Sequence, residues 1–435
     1  MRNKNISVKN MDSFIVDKFK VTDYILCYIL IAISGVNFFL GNPILAIVFI
    51  GTFIIFYKKI KITNFIVFYL LTVAVILLGS ALNYSSYNFN NYLSLFFRIG
   101  IAYIILFVLG NKFIYVYINI IYYLSIISLF FWSVFVLSPG LEKFFLLNIT
   151  PLFDHYFYDL SKEVLPAPHF IIYTMNHEGI NTMRFGLEGA ISSLSGFDRI
   201  FMRNSVCFTE PSTAMFFIIP ALSFSLAIYK KITRKEVIIF ILVIITSWST
   251  GGFAVLFFLM AGWYLIKKGG KNKLLLFPIS LLIAYYSFMN VESFGLEITT
   301  KIDEVSNSNL EYAKRTRLVN AILDVKESLK HPLFGKGFYV EARPLTYYDW
   351  RTNGTTFILN RYGYIAFVIY FFLIYKFFNL ICYSFNVNKQ FALIMLVSLI
   401  LIGFGNKNFE KPLFIGLTMI YSIAKSKRND QSIYT

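Results

Sequence analysis

Few side chains in this sequence are placed where they could act on a charged ligand, and most of them are arginines. Arg98 lies inside an apolar run, about two turns from one end, and Arg361 sits close to the corresponding end of another. An unpaired guanidinium in hydrocarbon is costly, so an intramembrane cation marks a functional site by default. No Asp or Glu is placed in the apolar runs to pair with either, which suggests an anionic ligand there. The plainer alternative is that each guanidinium snorkels to the headgroups. Arg203 lies in RNSVCFTEPS, which leads into another apolar run. Pro211 suits the first turn of a helix and Thr209 or Glu210 its cap. A cation beside the free N–H groups of such a helix start makes a phosphate-binding corner. Lys314, Arg315 and Arg317 lie on the first turns of a predicted amphipathic helix, which His331-Pro332 brings to an end.

Other chemistries find less support. The four histidines, His155, His169, His177 and His331, lack the i, i+4 spacing of a helical metal site. There is no GxSxG elbow and no GxxxxGK[ST] phosphate loop. Cys27, Cys207 and Cys382 are far apart and form neither a disulfide framework nor a CxxC pair, so they read as small packing residues.

The elements that must position the arginines are membrane helices. Of the 435 residues, 57% are hydrophobic, 19% aromatic and only 14% charged, well under the roughly 25% of soluble chains. Twelve apolar runs begin near Tyr24, Pro43, Asn64, Leu93, Phe113, Pro211, Val237, Gly252, Leu274, Thr355, Gln390 and Pro412. The fold expected is all-α and polytopic, with about 12 transmembrane helices (11–14). The N-terminus is polar through Lys20, so the first run reads as an uncleaved anchor.

Charge sets the orientation. With a cytoplasmic N-terminus the inner segments hold 22 Lys and Arg against five acids, a net of +17, while the four short outer connections hold only Lys407 and Lys411. That asymmetry obeys the positive-inside rule and places both termini in the cytoplasm. The basic balance of the whole chain is thereby explained by topology and anionic lipid rather than by nucleic acid.

Five parts follow: a membrane part over 1–137, an outer loop over 138–210, a membrane part over 211–290, a second outer loop over 291–354, and a membrane part with a cytoplasmic tail over 355–435. Eight acids fall in the first loop and nine in the second. In the second, Ser308 and Glu311 have capping-box spacing, and Leu318, Ile322, Val325 and Leu329 form one apolar stripe. That helix is expected along the outer surface, with Gly335 and Gly337 allowing a tight turn after it. NYSSYNFNNY, from Asn83 to Tyr92, is an uncharged outer loop that could contact sugar or simply form part of an aromatic belt.

Three segments together resemble a known family. RNSVCFTEPSTAMFF resembles the R-x-x-x-x-[FT]-x-[ED]-P-[SN] stretch of bacterial O-antigen polymerases and ligases. An Arg followed by HPLFGKGF resembles their R…HPLFGxG segment, and NGTTFILNRYGYIAF resembles the HN…L…GxxG lead into the next span. Order, spacing and topology match over about Arg203–Phe367. The ligases carry a His before the Asn, where this chain has Thr352 before Asn353, and Ala366 replaces the motif's next small residue. The Ser249–Gly252 turn also lacks the Arg of the related ligases.

The resemblance implies a GT-C-like membrane fold in the bacterial inner membrane with a periplasmic active site. It implies an O-antigen polymerase: inverting, metal-independent transfer between undecaprenyl-diphosphate-linked oligosaccharides, with undecaprenyl diphosphate leaving. A chain-length regulator of the pathway would be a partner, alongside membrane lipid. Cations should stabilise the departing diphosphate; Arg203 and Arg317 are assigned to it, with Arg315 as substitute and Arg98 and Arg361 second. A base should assist the acceptor hydroxyl, with Glu210 first and His331 behind it. The alternatives are an O-antigen ligase acting on lipid A-core and, from another class, a lipid-linked oligosaccharide flippase. Neither an inverted repeat nor a matched pair of broken helices supports a transporter.

Overall fold

The computed structural model describes residues 19–36, 39, 42–82, 89–149, 169–170, 172–176, 202–267, 317–338 and 353–432. Long unbroken runs of aliphatic and aromatic residues form the helices, and glycine, proline or charge ends them. In chain order they are α1 (Val21–Gly35), α2 (Asn42–Phe56), α3 (Asn64–Leu82), α4 (Phe89–Leu109) and α5 (Phe113–Leu137). The short α6 (Pro139–Phe144) runs into a π turn, Phe145–Ile149. Then come α7 (Pro211–Tyr229), α8 (Lys235–Thr246), α9 (Thr250–Lys267), α10 (Arg317–Ser328), α11 (Gly354–Ser384), α12 (Gln390–Gly403), α13 (Pro412–Leu417) and α14 (Ile420–Ser432).

Among the described residues, five helical segments are long and apolar enough to cross a membrane: 64–82, 90–137, 211–229, 250–267 and 354–384. Within 90–137 a 3-10 turn at Gly110–Lys112 separates α4 from α5. The shorter apolar helices are α1, α2 from Pro43, and α12. Eleven of the twelve expected runs begin within four residues of a helix start; the one near Leu274 lies outside the described residues.

The expected single run from Pro412 is not one helix. It splits at Thr418-Met419 into α13 and α14. The Thr418 hydroxyl donates to the Ile415 carbonyl at 2.6 Å, and Met419 N–H reaches back only three residues, to Gly416. Such local bonds compete with a continuous helix. Beyond the split the chain turns polar, ending KSKRNDQS.

The core is organised around α7, in which every residue from Pro211 to Ala227 is buried. A helix that is apolar all round belongs inside. Pro220 interrupts its hydrogen-bond ladder, and one turn back the Tyr117 hydroxyl of α5 donates to the Phe217 carbonyl at 2.8 Å. Phe208 stacks on Phe217 with centroids 4.1 Å apart. Helices α5, α8, α9 and α12 pack around this pillar, and α1 and α4 complete the wall.

The small polar sheet was not expected. Three short antiparallel strands, β1 (His169–Phe170), β2 (Tyr173–Asn176) and β3 (Arg203–Asn204), lie in the order β1-β2-β3, with Asn176 opposite Arg203. Tyr173 anchors the sheet to α5 through Phe131 and Phe135. The capping pair Ser308 and Glu311, Arg315, Thr352, His155, His177 and most of the Asn83–Tyr92 loop lie outside the described residues.

Candidate functional site: a cation cluster at a broken helix

Helix α11 begins on a side-chain cap: Asn353 accepts from Thr356 N–H at 3.1 Å. Two turns on, the helix breaks at Gly363, whose φ of 79° and ψ of 176° are not helical. The break frees backbone groups, and HPLFGKGF takes them up. Lys336 N–H donates to the Asn360 carbonyl at 3.0 Å and Gly337 N–H to the Arg361 carbonyl at 2.8 Å. In return Tyr364 N–H donates to the Pro332 carbonyl at 2.7 Å. Only glycine allows so close an approach. A Cβ on Gly363 would stand 2.3 Å from the Leu333 carbonyl oxygen, and one on Gly335 (φ +64°) 2.5 Å from the backbone of Arg361. The Phe334 ring meanwhile fills the space over Gly79 of α3.

Helix α10 packs on this same stretch by its polar face. Asn320, Ala321, Asp324 and Ser328 are buried, while Val325 and Leu329 of the apolar stripe are 38% and 64% exposed. Asp324 accepts from the Thr356 hydroxyl at 2.8 Å and from the Asn360 amide at 3.1 Å. Asn360 also donates to Glu327 at 3.1 Å, and Lys336 pairs with Glu327 at 2.9 Å. A buried carboxylate needs donors of this kind, and α11 supplies them at i, i+4 spacing.

The break sets the direction of Arg361. Its guanidinium lies between the Phe338 and Phe357 rings, 4.6 and 4.2 Å from their centroids. One nitrogen, Nη1, donates to both carboxylate oxygens of Glu410, at 2.8 and 2.9 Å. Arg98 approaches the same carboxylate at 3.8 Å and the Glu410 carbonyl at 3.4 Å, and its buried Nε–H has no acceptor among the described residues. The expectation that both arginines lack a protein counter-ion is therefore corrected: Glu410 serves both. It stands in the connection 404–411 between α12 and α13, outside the runs in which an acid was sought.

Burial pushes the Glu410 carboxyl up, but Arg361 and Arg98 outweigh it and hold the group below its usual range. Lys411 follows directly. Desolvation and then Arg98 pull its ammonium down to about 8, with Glu410 opposing. Two guanidiniums and an ammonium around one carboxylate leave a surplus of positive charge.

An apolar groove adjoins the cluster. Its walls include Phe65, Tyr69 and Ile76 of α3, Ile99 of α4, and Ile369 and Tyr370 of α11, and Glu410 is the one charged residue on them. An apolar trough beside clustered cations can take a chain and an anionic head together.

The remaining expected residues fall into two groups. Glu210 is the N-cap of α7 by position, but its side chain caps nothing; it accepts from the Ser212 hydroxyl at 2.9 Å. The Thr209 hydroxyl bonds Thr213, which also receives the Asn406 amide. Asn406 and Lys407 belong to the connection that carries Glu410, and Lys407 lies 4.7 Å from the Phe357 centroid. The connection thus joins the Glu210 corner to the arginine cluster. Arg203 is held elsewhere, with Nε 3.4 Å from the Ser247 carbonyl at the α8–α9 turn. His331 lies in the turn after α10, where its carbonyl accepts from Gly335 N–H. Arg317 opens α10, and its side chain, like Arg315, lies outside the described residues.

Sequence reasoning missed Glu410, Lys411 and Asp324. A signal for the first was available: of 23 acids, Glu410 is the one outside both long loops and the basic segments. Comparison with family models, curated proteins and solved structures finds no match to this chain.

Proposed function

We propose that this chain is a membrane glycan polymerase of the O-antigen type, acting on oligosaccharide repeat units linked to undecaprenyl diphosphate. The observation that carries the reading is the cation cluster of Arg98, Arg361 and Lys411 beside an apolar groove, at the end of the bundle that the charge pattern assigns outside. A polyprenyl diphosphate needs that pairing of surfaces. The three resembling segments all bear on this end: the first leads into α7, and the other two interlock at the Gly363 break.

In this reading the donor lipid lies along the groove with its diphosphate at the cations. An acceptor hydroxyl oxygen attacks the anomeric carbon, and the bond from that carbon to the diphosphate oxygen breaks. Undecaprenyl diphosphate leaves with the electron pair, and the hydroxyl proton passes to Glu210 or His331. Clustered cations favour the step because negative charge grows on the departing oxygen. The finer architecture belongs to the same proposal: about twelve spans in a GT-C-like arrangement in the bacterial inner membrane, both termini cytoplasmic, no metal, and a chain-length regulator as partner.

Deleting the gene and resolving lipopolysaccharide on a gel tests the reading. Core capped by a single repeat unit is the expected result. Uncapped core overturns it, pointing to a ligase if lipid-linked glycan collects on the outer leaflet and to a flippase if it collects on the inner.

A further inference from the structure

The two guanidiniums at Glu410 are not equivalent. Arg361 is tightly held: its Nη1 donates to both carboxylate oxygens at 2.8 and 2.9 Å, and the Phe338 and Phe357 ring centroids lie 4.6 and 4.2 Å from its guanidinium. Arg98 is not. Its nearest approach to the carboxylate is 3.8 Å, its hydrogen bond to the Glu410 carbonyl is long at 3.4 Å, and among the described residues its buried Nε–H finds no acceptor. A buried donor left without a partner is costly, the more so when charged. Such an arrangement persists where a ligand completes it.

We propose that Glu410 is a positioning residue whose carboxylate stands in for an anionic headgroup at Arg98 and Lys411, while Arg361 stays bound to it throughout. Arg98 and Lys411 then form the edge that binds phosphate oxygens, and Arg361 anchors Glu410 so that its charge opposes the ligand only partly. This division rests on the reading of the groove as a lipid-phosphate site, but not on any glycan chemistry. The ligand class is a phosphate or diphosphate ester on a single long hydrocarbon chain. Inorganic diphosphate shares the head and lacks the chain.

Three features agree with this division. Glu410 borders the groove, so a headgroup whose chain lies there arrives beside it. Lys411 follows Glu410 in the chain, and burial with Arg98 lowers its ammonium to about 8, a cost that a neighbouring phosphate would offset. The 3.8 Å separation at Arg98 is one that a phosphate oxygen can replace with a short charge-assisted bond.

The test is binding of farnesyl diphosphate to the purified full chain in lipid nanodiscs, with inorganic diphosphate and farnesol as separate arms. Arg98→Gln and Lys411→Gln are each expected to weaken farnesyl diphosphate about tenfold while leaving the Arg361–Glu410 pair intact, and farnesol unaffected. Glu410→Gln, which removes the competing charge at nearly constant shape, is expected to tighten it about tenfold. A merely structural Glu410 would weaken or not change binding when replaced, and that result overturns the proposal. Unchanged affinity in Arg98→Gln overturns it as well, and this arm decides if Glu410→Gln does not fold. Equal affinity for inorganic diphosphate and farnesyl diphosphate would remove the groove from the site and overturn the lipid assignment. These outcomes are independent of the gel: a chain that makes no polymer can still pass here, and a polymerase can fail.

Discussion

At the residue scale the site is governed by one acid, Glu410, shared between two arginines, Arg98 and Arg361. Arg361 and Glu410 are both largely shielded, at 21% and 12% exposure, so removing one leaves the other as an uncompensated charge. Arg361→Ala is expected to destabilise the protein by about 3–5 kcal/mol, read as a large drop in melting temperature in nanodiscs; a drop no larger than that of Lys59→Ala would show the pair to be dispensable. Lys411 supplies a pH dependence. Its amine in the fold sits at about 8, below the ordinary lysine value, through desolvation and Arg98, against the pull of Glu410. The penalty for holding it charged is therefore full below pH 8 and is relieved as pH climbs from 8 toward roughly 10.4, where the unfolded chain also titrates. Wild type should gain melting temperature relative to Lys411→Arg across that window and lose affinity for farnesyl diphosphate in it. Parallel profiles for the two proteins would contradict the shift. Arg98 and Arg361 were legible in sequence because a cation stands out against hydrocarbon. Glu410 was not, because their partner was sought inside the apolar runs and it lies on the connection between two of them.

At the element scale the site depends on a helix that is broken on purpose. The Gly363 break exposes two carbonyls, HPLFGKGF fills them, and Arg361 is turned toward Glu410 in consequence. Gly363→Ala is strained by its positive φ and blocked by the Leu333 carbonyl, so it should cost more than about 1 kcal/mol and shorten the polymer. Gly51→Ala is the matched control. Nothing lies within 4 Å of a Cβ there, and an alanine inside α2 should be neutral or stabilising by up to about 1 kcal/mol. If both changes behave alike in a melting experiment, the break does not hold the site. Helix starts were readable because apolar runs end in proline, glycine and charge. The partners of the polar face of α10 were not: Asp324 and Asn320 are buried, with Asp324 bonded to Thr356 and Asn360 of α11, and nothing in the apolar stripe marked them.

At the scale of the whole molecule the argument turns on which side the cluster faces. The Phe404–Lys411 connection, the start of α7, the broken turn of α11 and the C-terminal turn of α3 all meet at one end of the bundle. Lys58, Lys59, Lys230, Lys231 and Arg234 lie in connections at the ends of these helices remote from the cluster, and those two connections together hold seven Lys and Arg. By the positive-inside rule the cluster is expected outside, the side from which the proposed lipid-linked glycan would reach it. Single cysteines test this directly, since Cys27, Cys207 and Cys382 are fully buried and give little background. Lys330→Cys, after α10, should react with a membrane-impermeant maleimide in spheroplasts. Lys59→Cys and Lys231→Cys should react only once the membrane is opened. The reverse pattern would place the arginines, the groove and Glu410 in the cytoplasm, and a polymerase fed from the outer face could not use them there. Labelling of Lys59 and Lys330 from the same side would instead break the alternation of spans, because an odd number of crossings must separate them if α3 carries the chain from one face to the other.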